Sequence, residues 1–227
     1  MFSLSAGATD LDLNFRYIGD DGVVSVVEIL VSDTTLTSLD LGFNDIGPEG
    51  FSHIAAAMDF NSSLLTLNLE VNDIGHVGAS SLATALLINT TLTSLNVGSN
   101  KLGLKGAESL GIALRSNSSL TALDLWDNML GDAGISGILS ALSHNSVLTD
   151  LNLSCNNIQR SGGFQVAALI TGCCSLRVLR LWDNDIDSKG AVGIATALHS
   201  NSTLRTLSLD HNKIGLIGGS ELAFAFS

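Results

Sequence analysis

The sequence predicts an α/β fold of one particular kind: a right-handed β-α solenoid of eight repeats, with a parallel sheet on its concave face and helices on its convex face. Three observations carry this expectation. Asn44, Asn72, Asn100, Asn128, Asn156, Asn184 and Asn212 recur at a constant step of 28 residues, with Arg16 at the head of the row. Leu11, Leu39, Leu67 and their counterparts up to Leu207 keep the same step, as do Gly22, Gly50 and their counterparts up to Gly218. Between these combs, each unit changes from alternating apolar residues to apolar residues at helical spacing. Fixed-period self-similarity of this length is the signature of stacked units that bury one continuous core.

Each unit can be justified from its first residue to its last. It opens as LxxLxLxxN, whose alternation is that of a short strand. The Asn that closes the strand has both donors and acceptors, suited to a chain turning with its amides and carbonyls near the core. The apolar spacing that follows is helical: in GASSLATALLIN, residues 78–89, Leu82, Ala85 and Leu86 share one helix face. A second Asn row (Asn61, Asn89, Asn117, Asn145, Asn201) ends the units, with Asp33 and Cys173 as exceptions. Asn tolerates left-handed backbone, so this row is expected to end the helices in that conformation. A strand joined through a helix to a parallel neighbour crosses over right-handed. Parallel strands lie about 4.8 Å apart and packed helices about 8–10 Å apart, so the helix side fans open and the stack curves.

Residues 1–227 read as one domain, either a fragment of a longer chain or one lacking dedicated caps, because Phe224 and Phe226 fall where a further repeat could dock. Asp and Glu number 22 against 10 Lys and Arg, a formal charge of −12 that opposes binding to nucleic acid or anionic membrane. No apolar run reaches the roughly 18 residues needed to insert into a membrane. Three cysteines (Cys155, Cys173 and Cys174) in no regular spacing point to reduced thiols and a cytoplasmic setting rather than a disulfide framework.

Alternation along each strand sends the residues between the leucines to the concave face. Columns across the repeats follow. One holds Asp12, Asp40, Asn68, Asn96, Asp124, Asn152, Arg180 and Ser208. The next holds Asn14, Gly42, Glu70, Gly98, Trp126, Ser154, Trp182 and Asp210. Beside the Asn row run Phe15, Phe43, Val71, Ser99, Asp127, Cys155, Asp183 and His211. The motif LWDN occurs twice, and its Trp126 and Trp182 lie outside the core periodicity. Two strand spacings, about 9.6 Å, separate them, with Ser154 as a small floor. Asp124, Asp127, Asp183 and Asp210 rim this slot, which suits a flat or cationic side chain. Incidental surface tryptophans in a duplicated unit are the competing account. Arg180 either stacks on Trp182 or, more simply, pairs with Asp150, Asp183 or Asp210. Asp40 and Glu70 extend the acidic surface, where Asp10, Asp12 and Asp150 also stand, so nine acids face one base across the concavity. The expected partner is therefore a protein with a basic surface.

Catalytic and metal chemistry find little support. Asp127, Cys155, Asp183 and His211 share a column but include one His, and Cys155 and His211 lie two strands apart, too far for direct proton transfer. No cofactor or metal is expected. The N-x-S/T triplets at Asn61, Asn89, Asn117 and Asn201 are the repeats' own turns, and a fifth begins at Asn152.

The pattern carried by Leu36, Leu39, Leu41, Asn44 and Ile46, and repeated at every 28-residue step, closely resembles the leucine-rich repeat family, ribonuclease-inhibitor type. The resemblance covers essentially the whole chain and is specific for fold rather than function. It implies non-enzymatic protein binding through the concave sheet and flanking loops. One branch of the family activates a small GTPase, for which Arg160 in NNIQRSGG is the candidate loop residue. A structural subunit of a larger assembly is the third alternative.

Overall fold

A computed structural model describes residues 7–173 and 175–225. Eight three-residue strands form one sheet: β1 (Asp10–Asp12), β2 (Ser38–Asp40), β3 (Thr66–Asn68), β4 (Ser94–Asn96), β5 (Ala122–Asp124), β6 (Asp150–Asn152), β7 (Val178–Arg180) and β8 (Thr206–Ser208). They alternate with helices α1 (Gly19–Ser32), α2 (Pro48–Met58), α3 (Gly75–Ile88), α4 (Gly103–Leu114), α5 (Gly131–Leu142), α6 (Arg160–Gly172), α7 (Ser188–Leu198) and α8 (Gly215–Ala225). The sheet order is the chain order, and every pairing is parallel in the 28-residue register, Leu11 to Leu39 and onward to Leu207.

The central leucine of each strand from β2 to β7 is buried, and its two neighbours are half-buried or exposed on the opposite face. The interior is filled by Leu39, Leu41 and Ile46 and their equivalents, against helix faces such as Leu82, Ala85 and Leu86 of α3. The glycine comb acquires a packing reason here. A side chain at Gly106 would stand 3.0 Å from the Cβ of Ala79 on the preceding helix, closer than such atoms pack. Glycine therefore lets each helix start sit against its neighbour.

The interior Asn row is a hydrogen-bonded ladder. Asn128 is fully buried. Its Oδ1 accepts from the Asn100 and Leu102 amides at 3.0 and 3.2 Å, and its Nδ2 donates to the Val97 and Leu125 carbonyls at 2.9 and 3.2 Å. Each rung thus bonds its own repeat and the one before it. Arg16, with no rung of its own to make, is exposed.

The second Asn row corrects one expectation. Asn89 follows α3 with φ −69° and ψ 125°, an extended rather than a left-handed residue. Its side chain does the work: Oδ1 accepts from the Thr91 and Leu92 amides, and Nδ2 donates to the Met58 and Asn61 carbonyls. The sequon amides of Asn61, Asn89 and Asn117 are accordingly buried structural donors. Left-handed backbone lies instead on either side of the interior row: one residue before it in every repeat, at Phe15, Phe43, Val71, Ser99, Asp127, Cys155, Asp183 and His211, with φ between 50° and 55°, and one residue after it at Tyr17, Asp45, Lys101, Met129 and Asn157. The chain must reverse curvature there to leave the strand, and it does so whatever the residue type.

At the last repeat, α8 buries Gly218 and Leu222, while Leu216, Ile217 and Phe224 are exposed. Phe224 lies against His199 with ring centroids 5.7 Å apart. Phe226, named above with it, lies outside the described residues, as does Cys174. No helix among the described residues is long and apolar enough to cross a membrane.

Candidate functional site

Trp126 and Trp182 stand on the sheet face away from the leucine core. Trp126 is half-buried and Trp182 is 42% exposed, while Ser154 between them is only 5% exposed. The two rings differ in pose. A side chain at Gly98 would collide with the pyrrole edge of the Trp126 indole, so that ring lies over repeat four. Trp182 meets His211 of repeat eight edge to face, with centroids 5.7 Å apart. The rings therefore do not face each other squarely: Trp126 lies over Gly98, Trp182 touches repeat eight, and the slot expected from strand spacing is a shallow trough between them whose Ser154 is largely covered.

The carboxylates around the trough have structural work that sequence reasoning missed. Asp124 Oδ1 accepts the Trp126 amide at 3.0 Å, closing a turn two residues long. Asp12, Asp40, Asn68, Asn96 and Asn152 do the same for the residue two positions on. The signal was present: Asp or Asn fills this column until Arg180, and both types bond the backbone two residues ahead. Asp and Asn also pair across strands. Asn152 Nδ2 donates to Asp124 Oδ2 at 2.9 Å, Asn68 Nδ2 to both oxygens of Asp40 at 3.1 Å, and Asn96 Nδ2 to Glu70 at 3.0 Å. Burial holds the Asp124 carboxyl above its ordinary range, against the opposing pull of the Trp126 N–H, Asn152 and the positive charge of Arg180.

Arg180 is committed. Its two terminal nitrogens donate to the two oxygens of Asp150, so this concave arginine is neutralised, and Asp150 was among the partners expected for it. Asp127 accepts from Ser99 Oγ at 2.8 Å and Asp210 from Ser208 Oγ at 3.1 Å. Asp127, Asp183 and Asp210 are exposed, whereas Asp40, Glu70 and Asp124 are half-buried. The face thus has two kinds of acid: turn-closing Asp40 and Asp124, with Glu70 bonded across the sheet, and outward-facing Asp127, Asp183 and Asp210.

Cys155 lies 3.7 Å from Asp183. Burial first, then the charge of Asp183, pushes its thiol up to about 11, so it is protonated at neutral pH and a poor nucleophile. Among the described residues no group of three or more His, Cys, Asp or Glu side chains is placed to hold a metal ion. Arg160 donates through Nε to Asp187 at 2.6 Å. Asp187 in turn caps α7 by accepting the Lys189 and Gly190 amides, both at 3.0 Å. The guanidinium, exposed though it is, is tied down by a helix cap.

The family profile described as Leucine Rich repeat matches residues 32–55, 60–83, 89–111, 116–139, 144–167, 172–195 and 200–223. The chain belongs to the leucine-rich repeat family. The first repeat, where Arg16 replaces the Asn, escapes that profile but forms β1 and α1 in the same register. No curated protein matches the chain. Among solved structures, the chain is similar to leiomodin-1 actin-binding site 2, at 21% identity, TM-score 0.56, covering 66% of this chain and 88% of that one. It is also similar to the C-terminal domain of tropomodulin from Caenorhabditis elegans, at 16% identity, TM-score 0.51, covering 60% and 83%. At these identities the likeness is one of fold.

Proposed function

We propose that this chain is a non-enzymatic, cytoplasmic protein-binding scaffold whose acidic concave face docks a basic segment of another protein. The observation that carries the reading is the trough. Two indoles outside the core flank a buried serine, and the exposed carboxylates of Asp127, Asp183 and Asp210 surround them. A guanidinium or ammonium set over Ser154 would meet aromatic faces and carboxylates together, and tryptophan is the side chain most enriched where binding energy concentrates. Arg180, neutralised by Asp150, offers such a cation little repulsion. Reduced Cys155 and Cys173 fit the cytoplasmic setting.

GTPase activation finds less support, because Arg160 is held by Asp187. The test is fluorescence anisotropy of a labelled arginine-rich peptide against the intact chain and Trp126→Ala/Trp182→Ala. Tight binding by the parent, weakened in the variant and falling as salt rises from about 0.05 to 0.5 M, is the expected result. Binding that ignores both the tryptophans and salt places the contact elsewhere, at the outer helices or the exposed end of α8. Actin belongs in the same titration as a second bait, since it is the ligand named for the leiomodin domain.

A further inference from the structure

The rim column beside the Asn ladder changes character along the molecule. In repeats one to three it is Phe15, Phe43 and Val71, and thereafter Ser99, Asp127 and polar or thiol side chains to His211. All share the same left-handed backbone, so the eight repeats act as internal controls. The turn accepts Ser or Asp equally well, and nothing in its geometry calls for an apolar residue. Phe15 and Phe43 nevertheless stack with ring centroids 4.2 Å apart and planes 20° apart, and Phe15 stays 59% exposed. Asp12, Asp40 and Glu70 occupy the columns next to them.

Resting on the reading of the trough given above, we infer that the docked segment is bipartite: a cationic residue at Trp126 and Trp182, and an apolar side chain about six residues away against the Phe15–Phe43 stack. Phe43 and Ser154 belong to repeats two and six, four strand spacings apart, about 19 Å, which an extended chain covers in roughly six residues. Past Val71 the surface between is mostly polar, with Glu70 bonded to Asn96 and Ser99 to Asp127, so it suits a hydrophilic spacer. Acids flank both anchor points. A basic partner segment thus gains charge complementarity along its whole length and apolar burial at one end.

Three labelled peptides test this: an Arg-Arg pair alone, the pair joined to a Leu-Phe pair through six Ser/Gly residues, and the same with two. They are titrated against the intact chain, Phe15→Asn/Phe43→Asn and Trp126→Ala/Trp182→Ala. Asn accepts left-handed backbone, so the first variant keeps its turns, checked by an unchanged thermal midpoint. The six-spaced peptide is expected to bind about tenfold tighter than the Arg pair alone, and the two-spaced one no tighter than that pair. Phe15→Asn/Phe43→Asn should erase the tenfold gain and leave the Arg pair's own affinity intact. A six-spaced peptide that gains nothing, or keeps its gain in that variant, overturns the bipartite segment and leaves the trough standing. An Arg pair that fails to bind, or binds Trp126→Ala/Trp182→Ala equally well, overturns the trough and the bipartite segment with it.

Discussion

Two rows of short polar side chains run the length of this molecule, a few residues apart in every repeat, and they obey different rules. The interior row is Asn from Asn44 to Asn212 without exception. Each of its side chains that is fully buried accepts from the preceding repeat and donates to two or three carbonyls, and only an amide offers both functions in that geometry. The concave row needs only an acceptor for the amide two residues on, so Asp and Asn interchange there, and at Arg180 the rule lapses altogether. Where burial demands two functions, the sequence is invariant. Where water can supply the second, it drifts, and the drift decides the charge of the concave face.

The largest expected effect breaks the interior row. Asn128→Ala strands the Asn100 and Leu102 amides and the Val97 carbonyl in the core and should cost about 3 kcal/mol in urea unfolding. The equivalent truncation on the concave side, Asp40→Ala, should cost less, about 1 kcal/mol, because the bond it breaks is only part-buried and Asp40 itself is half-exposed. Equal losses would erase the distinction drawn between the rows.

Next in size is Trp126→Ala/Trp182→Ala, expected to weaken a basic peptide by about 2 kcal/mol, roughly 30-fold, with little change in the urea midpoint. Asp124→Asn sharpens the comparison through pH. Its folded carboxyl holds its proton more tightly than an unfolded one, so the charged form subtracts stability as pH rises above the ordinary value of 3.8, and the penalty is complete above the raised folded value. The Asn variant should therefore be more stable than the parent at about pH 7, by less than about 1 kcal/mol, and equal to it at about pH 3, as measured by urea midpoints at both. Smallest is Arg180→Gln. A partly exposed pair with Asp150 contributes about 0.5 kcal/mol or less, so stability should hold while a basic peptide binds up to about twofold tighter and with a steeper salt dependence.

The repeat, its register and the face each column occupies were legible in the sequence, because a constant step leaves little freedom in a stacked fold. Leu82, Ala85 and Leu86 face the core, and Trp126 and Trp182 do not, as alternation and helical spacing require. Less legible was the conformation of Asn89: tolerance of left-handed backbone is a permission, whereas the two amides and two carbonyls its side chain reaches are a demand, and the demand prevailed. Contacts from one repeat to the next were hidden too. Asp20 and Asp132 reach the Gly47 and Gln159 amides of the following repeat, although neither belongs to a comb. The different contacts of the two indoles depend on their neighbours, Gly98 and His211, and no pattern within LWDN could foretell them.

Gly98 carries a consequence of its own. The ring of Trp126 fills the volume that any larger residue at 98 would claim, whereas Trp182 follows Ser154 and stands freer. Two identical tetrapeptides thus become two different instruments according to which module precedes them. Shuffling modules of this chain, by recombination or by engineering, would preserve the scaffold yet retune the indoles, since what a cassette presents is written partly in the cassette upstream.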